Sequence, residues 1–276
     1  MTLSAAFIQP VPDDLRVGET AGWLFTAWVI VLGLLFLAYG GYRFARYRDS
    51  VPVIMWAGGA FICSFVEPMG DLVGHLWWPT NVPLTLYTAY GVEVPLLIPF
   101  AYSSFVGGGG YFAYRLIAAG ITMKRLFAVF GIIAAADFIM EVPGTSTGVH
   151  VYYGNQPFEI FGFPLYWSWL NATAILSIGL FLYVLEPRVH GKWRAVLLLA
   201  PTAGHMCAWG IAMPLAFLQL NTSMAEPMRY IIAILTLPLA LLIVRAIWEV
   251  IKFVRQYDAM AIAVKKRPDA VHEASR

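Results

Sequence analysis

Residues 51–78 read VPVIMWAGGAFICSFVEPMGDLVGHLWW, an apolar run broken only near its end by Glu67, Asp71 and His75. A run of this length without Lys or Arg predicts a membrane-crossing helix, because roughly 20 apolar residues span the hydrocarbon layer. On such a helix residues i, i+4 and i+8 share one face, so the three groups form a stripe. Residues 124–142 carry a second acidic pair at the same spacing, Asp137 and Glu141. A carboxylate is costly to bury alone in an apolar medium, so ionisable groups inside a span mark a candidate functional site.

The rest of the chain agrees. Its 276 residues are 60% hydrophobic and 12% charged, with a mean hydropathy of +0.70. That composition predicts an all-α, polytopic membrane helix bundle. Apolar runs near 21–43, 52–77, 94–114, 124–142, 165–185, 193–219 and 229–252 give about seven transmembrane helices. Residues 1–20 become an N-terminal outer segment, 21–254 the transmembrane domain and 255–276 a solvated cytoplasmic tail. No basic region followed by an apolar core opens the chain, so no cleaved signal peptide is expected.

Basic residues alternate along these runs. Arg43, Arg46 and Arg48 follow the first, Arg115, Lys124 and Arg125 the third, Arg188, Lys192 and Arg194 the fifth, and Lys252, Arg255, Lys265, Lys266 and Arg267 the seventh. By the positive-inside rule the N-terminus lies outside and the C-terminus in the cytoplasm. Both acidic stripes then occupy the outer halves of helices two and four. Two long connections, 78–94 and 143–164, share that side. Their Gly, Pro and aromatic content predicts ordered caps roofing a cavity, with Trp77, Trp78, Tyr152, Tyr153, Trp167 and Trp169 as an interfacial belt. Pro68, Pro99, Pro201, Pro214 and Pro238 predict interrupted helices, and Gly107 to Gly110 a loosened inner end of helix three.

A buried carboxyl prefers its neutral form, and a like charge one turn away reinforces that preference. Protonated and ionised carboxyls side by side supply a general acid and a general base. The candidate catalytic residues are therefore Glu67, Asp71, Asp137 and Glu141, with His75, Tyr152, Tyr153, Trp167 and Asn171 as candidate substrate-binding groups. The competing reading is that these groups only hydrogen-bond helices two and four together. His75 reads equally well as an interfacial histidine, and His150 as a packed loop residue. His205 reads as a polar contact at mid-membrane.

Other classes fall by their missing parts. Scattered basic residues form no nucleic-acid surface. Cys63 and Cys207 lie in predicted spans without CxxC spacing, which suggests neither a disulfide nor a thiolate metal site. Five histidines without paired boxes do not suit a di-iron oxygenase, and helix seven offers only Arg245 and Lys252 where a retinal lysine would stand. ExxxD and DxxxE spacing suits magnesium and a diphosphate, but the outer side lacks the lysines and arginines that a diphosphate needs. No metal is expected.

Three strings, EPMGDLVGHLWWPT (67–80), DFIMEVPGTSTGVHVYYG (137–154) and GFPLYWSWLNA (162–172), resemble the bacterial membrane spirocyclase family, whose named member closes the spiroketal of avermectin. The second and third are also faintly similar to membrane carotenoid hydratases and cyclases. The resemblance implies ring closure on an apolar polyketide or terpenoid in a bacterial inner membrane, with loss or gain of water and no redox cofactor. Its motif positions here are Glu67, Asp71, Asp137 and Glu141, flanked by His75, Tyr152, Tyr153 and Asn171. The partners implied are a lipophilic small molecule and membrane lipids. Against the enzyme stands a proton-coupled carrier or binding protein for a lipophilic small molecule, although the chain shows no internal repeat. A scaffold for a neighbouring enzyme is the third reading.

Overall fold

The computed structural model describes residues 10–265. The first nine residues of the predicted outer segment, and the tail beyond Lys265 with Lys266 and Arg267, lie outside them. Helix α1 (Glu19–Tyr47) is followed by α2 (Val51–Phe61), a 3-10 turn (Cys63–Val66) and α3 (Glu67–Gly74). Short strands β1 (Leu76–Trp77), β2 (Thr85–Ala89) and β3 (Val92–Pro95) lead to α4 (Leu97–Ala101), a π-helical turn (Tyr102–Gly108) and α5 (Gly109–Ala118). Helix α6 (Met123–Thr147) precedes β4 (Val151–Tyr152), β5 (Glu159–Ile160) and β6 (Phe163–Pro164). Then come α7 (Tyr166–Leu185), 3-10 turns, α8 (Ala200–Ile211), α9 (Pro214–Leu220) and α10 (Glu226–Lys265).

Five helices, Glu19–Tyr47, Val51–Gly74, Met123–Thr147, Tyr166–Arg188 and Glu226–Met260, are long and apolar enough to cross a membrane. A sixth is added if Gly191–Ile211 and Pro214–Leu220, bent by 59°, count as one span. The predicted third span, 94–114, corresponds to the run 97–118, which is helical but not one regular α-helix. Ser103 and Ser104 hydroxyls bond back to the Phe100 carbonyl at 2.9 and 2.8 Å, and the turn widens there. This widened turn packs backbone to backbone on α2. A Cβ on Gly59 would sit 2.5 Å from the Tyr102 carbonyl oxygen, and one on Gly107 would meet that of Met55. Small residues at such a crossing let helices approach where side chains would hold them apart.

At Pro68, which has no N–H to donate, the second span is broken: the helix stops at Phe61, turns through 3-10 geometry and restarts at Glu67 with Pro68 in its first turn. Pro143 behaves differently. It lies inside α6, which runs on to Thr147 and closes at Gly148 with φ +73°. The predicted loop 143–164 therefore begins five residues later than expected, and Glu141 stays well inside a helix. The last helix also continues to Lys265, through much of the segment expected to be solvated tail.

The two long connections fold over the same end of the bundle. β2 and β3 form a hairpin, β5 and β6 another, and β1 pairs antiparallel with β4 through Leu76↔Tyr152 and Trp77↔Val151. The start of α1 is tied to this cap, because Asn81 accepts from Val17 N–H and donates to Val17 C=O at 3.0 and 2.8 Å.

Candidate active site

Glu67 and Asp71 lie one turn apart on α3, and Asp137 and Glu141 one turn apart on α6. All four line a single cavity of about 170 Å³ beneath the cap. Asp71 and Asp137 are 3% and 2% exposed, so their carboxyls see only protein and the cavity. Among the described residues no lysine or arginine lines this space. Two carboxylates about 6 Å apart repel by roughly 3 kcal/mol at an effective dielectric of about 20. Four negative charges in one chamber without a fixed cation are therefore not sustainable, and protons must neutralise part of the set.

Each carboxyl has its own donor. Tyr102 donates its hydroxyl to Glu67 Oε2 at 2.6 Å, and Trp78 donates its indole N–H to Asp71 Oδ2 at 3.1 Å. Asn171 on α7 reaches both oxygens of Asp137 at 3.2 Å. His150 Nε2 lies 2.8 Å from Glu141 Oε2, and the Tyr152 hydroxyl donates to the same oxygen at 3.4 Å. Glu141, one turn from Asp137 on α6, lines the same cavity as Glu67 and Asp71 of α3. The groups are spread around the cavity rather than converged. Among the described residues no three His, Cys, Asp or Glu side chains are placed to share a metal ion.

The walls are aromatic. Tyr102, Tyr152, Trp78, Trp167, Trp209 and Phe217 face the space, with His205 from α8. Such ring faces attract a positive charge, each contributing about 0.5–2 kcal/mol when desolvated. Burial and the neighbouring carboxyls of Glu141 and Asp137 hold the Tyr152 phenol well above its ordinary value, so it remains a proton-bearing donor.

Two predicted binding residues lie elsewhere. His75 does not continue the helical stripe: it caps α3 in the left-handed conformation (φ 55°), with its C=O accepting from Tyr153 N–H at 2.9 Å. The Gln156 amide satisfies the Gly74 and His75 carbonyls at 3.0 and 3.3 Å, which is why the helix ends there. The His75 ring is fully buried behind the cavity and stacks on Tyr153 at 4.8 Å and 5°. Burial pushes its imidazole below the ordinary value, the Asn221 side chain partly offsetting this. Neither His75 nor Tyr153 lines the cavity, and both support its cap. Trp167, Tyr152 and Asn171 do line it.

Four contributors escaped the sequence reading. Tyr102 stands beside two serines inside an apolar run, a polar break that could have flagged it. Trp78 and His150 reach Asp71 and Glu141 only because the chain turns at His75 and Gly148, and helical spacing cannot reveal that. His205, read as a polar contact, lies between Tyr102 and Trp209 with ring centroids at 5.6 and 5.2 Å and faces the cavity. Residues 144–148, GTSTG, also fit the GxSxG pattern, but Ser146 is exposed on the last turn of α6 and no strand precedes it. A nucleophile elbow requires a strand-to-helix turn, so this match carries no nucleophile.

A scan against protein-family models, a search of curated proteins and a search of solved structures each return no match for this chain.

Proposed function

We propose that this chain is a membrane-embedded acid/base enzyme that cyclises, dehydrates or isomerises an apolar polyketide or terpenoid without a redox cofactor. The observation that carries the reading is the placement of four carboxyls from two helices around one aromatic-walled cavity, with no lysine or arginine on its lining among the described residues. Asp137 or Glu141 acts as general acid and gives its proton to an alkene, carbonyl or hydroxyl of the substrate. The ring faces of Tyr152 and Trp167 stabilise the positive charge that develops. Glu67 or Asp71 takes a proton from the neighbouring carbon or hydroxyl. The acid is left ionised and the base protonated, and the base returns its proton to the acid across the shared cavity between turnovers.

The resemblance of residues 67–80, 137–154 and 162–172 to membrane spirocyclases supports the same chemistry and makes ring closure the favoured outcome. We further place the chain in a bacterial inner membrane with seven crossings, the run 97–118 being the third. Twenty-two helical residues extend at most about 33 Å, on the scale of the hydrocarbon layer. The alternation of basic clusters then puts the N-terminus outside and the C-terminus in the cytoplasm.

The test is to incubate membranes holding the protein with a lipid extract of its native cell and to follow a mass change of one water, or a new isomer. Asp71→Asn and Glu141→Gln should abolish the product while the protein still assembles. Full product formation by both amides would remove these carboxyls from the reaction. A second reading, a proton-coupled carrier, is favoured by the broken second span and the 59° bend between α8 and α9, since carriers bind ligands at interrupted helices. Ligand bound and released unchanged would select it.

A further inference from the structure

We infer that the groove between α1 and α6 is a second ligand site, which holds the hydrocarbon remainder of a molecule whose reacting end occupies the acidic cavity. The inference rests on the proposed function and adds the shape of its substrate. An engineered protein cavity of about 150 Å³ holds one benzene. The acidic cavity, at about 170 Å³, therefore suits a ring-sized unit and leaves the rest of a long polyketide or terpenoid outside it. The remainder needs an exit, and an apolar one.

A groove of about 450 Å³ adjoins the cavity on the α1/α6 side, lined by Thr20, Leu24 and Trp28 from α1 and Pro143 and Thr147 from α6. Phe25 belongs to both spaces and forms their common wall. Its ring packs edge-on against Trp28 in the groove at 5.5 Å and lies 5.8 Å from His150 in the cavity. The hydroxyl of Thr147 is turned back to the Pro143 carbonyl at 2.6 Å, so even this polar residue leaves the groove surface apolar. Leu24 is 67% exposed, on a helix long and apolar enough to face lipid. A hydrocarbon chain thus enters between α1 and α6 and displaces the Phe25 ring. It then presents its end to Glu141, which His150 holds just behind that ring.

The test uses hexadecanol carrying a mid-chain diazirine, with the protein in nanodiscs, and peptide mapping after illumination. Labelling should fall on residues 20–28 and 143–147, several-fold above Leu242 of α10, which is exposed to a similar degree as Leu24. Excess unlabelled hexadecanol should remove it. Equal labelling of both faces, or equal groove labelling by a diazirine phospholipid, would show the groove to be ordinary lipid contact and overturn the inference. Asp71→Asn protein should label like wild type. Groove labelling with no product in the extract assay would therefore count against the enzyme and not the groove, while product formation without groove labelling would sink the groove alone.

Discussion

Gly144→Ala reports on the packing that brings His150 to Glu141. Gly144 lies inside α6, where alanine would ordinarily stabilise the helix by about 1 kcal/mol. Here the added methyl would fall on His150 Cε1, 2.6 Å from its Nδ1 and 2.9 Å from Phe25 Cζ. His150 has nowhere to go: it is 2% exposed and wedged against Trp78 with ring centroids at 4.8 Å. Overpacking of this kind costs about 1–3 kcal/mol, and parting His150 from Glu141 leaves buried polar atoms unpaired at about 1–3 kcal/mol more. Even after the helix gain the variant should be less stable by about 1–5 kcal/mol. Unfolding in mixed detergent micelles, titrated with dodecyl sulfate, measures the difference. A variant as stable as wild type, or more so, would mean that His150 is not held against α6, and the Glu141–His150 pair would lose its basis.

Tyr102→Phe removes the hydroxyl that meets Glu67 at 2.6 Å; leaving that carboxyl unpartnered should cost about 1–3 kcal/mol in the same titration, with product formation reduced as well. Asn171→Leu should act likewise on Asp137, and an effect on turnover without loss of stability in either variant would assign these donors to chemistry alone. His75 predicts a pH dependence. Its folded-state value lies below the ordinary one, so the unfolded chain binds more protons between the two values and stability rises with pH across that window. Stability should thus be lost as pH falls below about 6.5 and through the folded value, and His75→Phe, which keeps the stack on Tyr153, should flatten that part of the profile. An unchanged profile in the variant would place the acid sensitivity elsewhere.

The bundle was legible because apolar length is a one-dimensional signal. The runs ending at Tyr47, Thr147 and Leu185 could be marked from residue type alone, although the first two were placed four and five residues short. The two acidic pairs were legible for the same reason, since i and i+4 share a face on any helix. Legibility failed wherever direction depends on a turn. Pro68 breaks its helix and Pro143 does not, although both follow apolar helical residues and both lie close to acidic ones. Only the surroundings, a 3-10 turn before Pro68 and an unbroken helical run through Pro143, separate them. His75 looked like the third member of a stripe because the sequence does not announce that Gln156, 81 residues away, satisfies the carbonyls at which α3 ends. Tyr102, Trp78 and His150 were hidden for the converse reason: each meets its carboxyl through tertiary structure alone.

The central claim is that carboxyls on α3 and α6 form one proton-handling unit, and a double-mutant cycle on turnover tests it most directly. Asp71→Asn and Glu141→Gln, singly and together, would be measured on the lipid-extract reaction. Each single loss should be about 10²–10⁴-fold, the usual contribution of a positioned acid or base. The double variant should be little worse than the poorer single one, because groups acting as a unit are not additive. Losses that multiply would contradict a shared proton path, and undiminished turnover in all three variants would contradict the account itself.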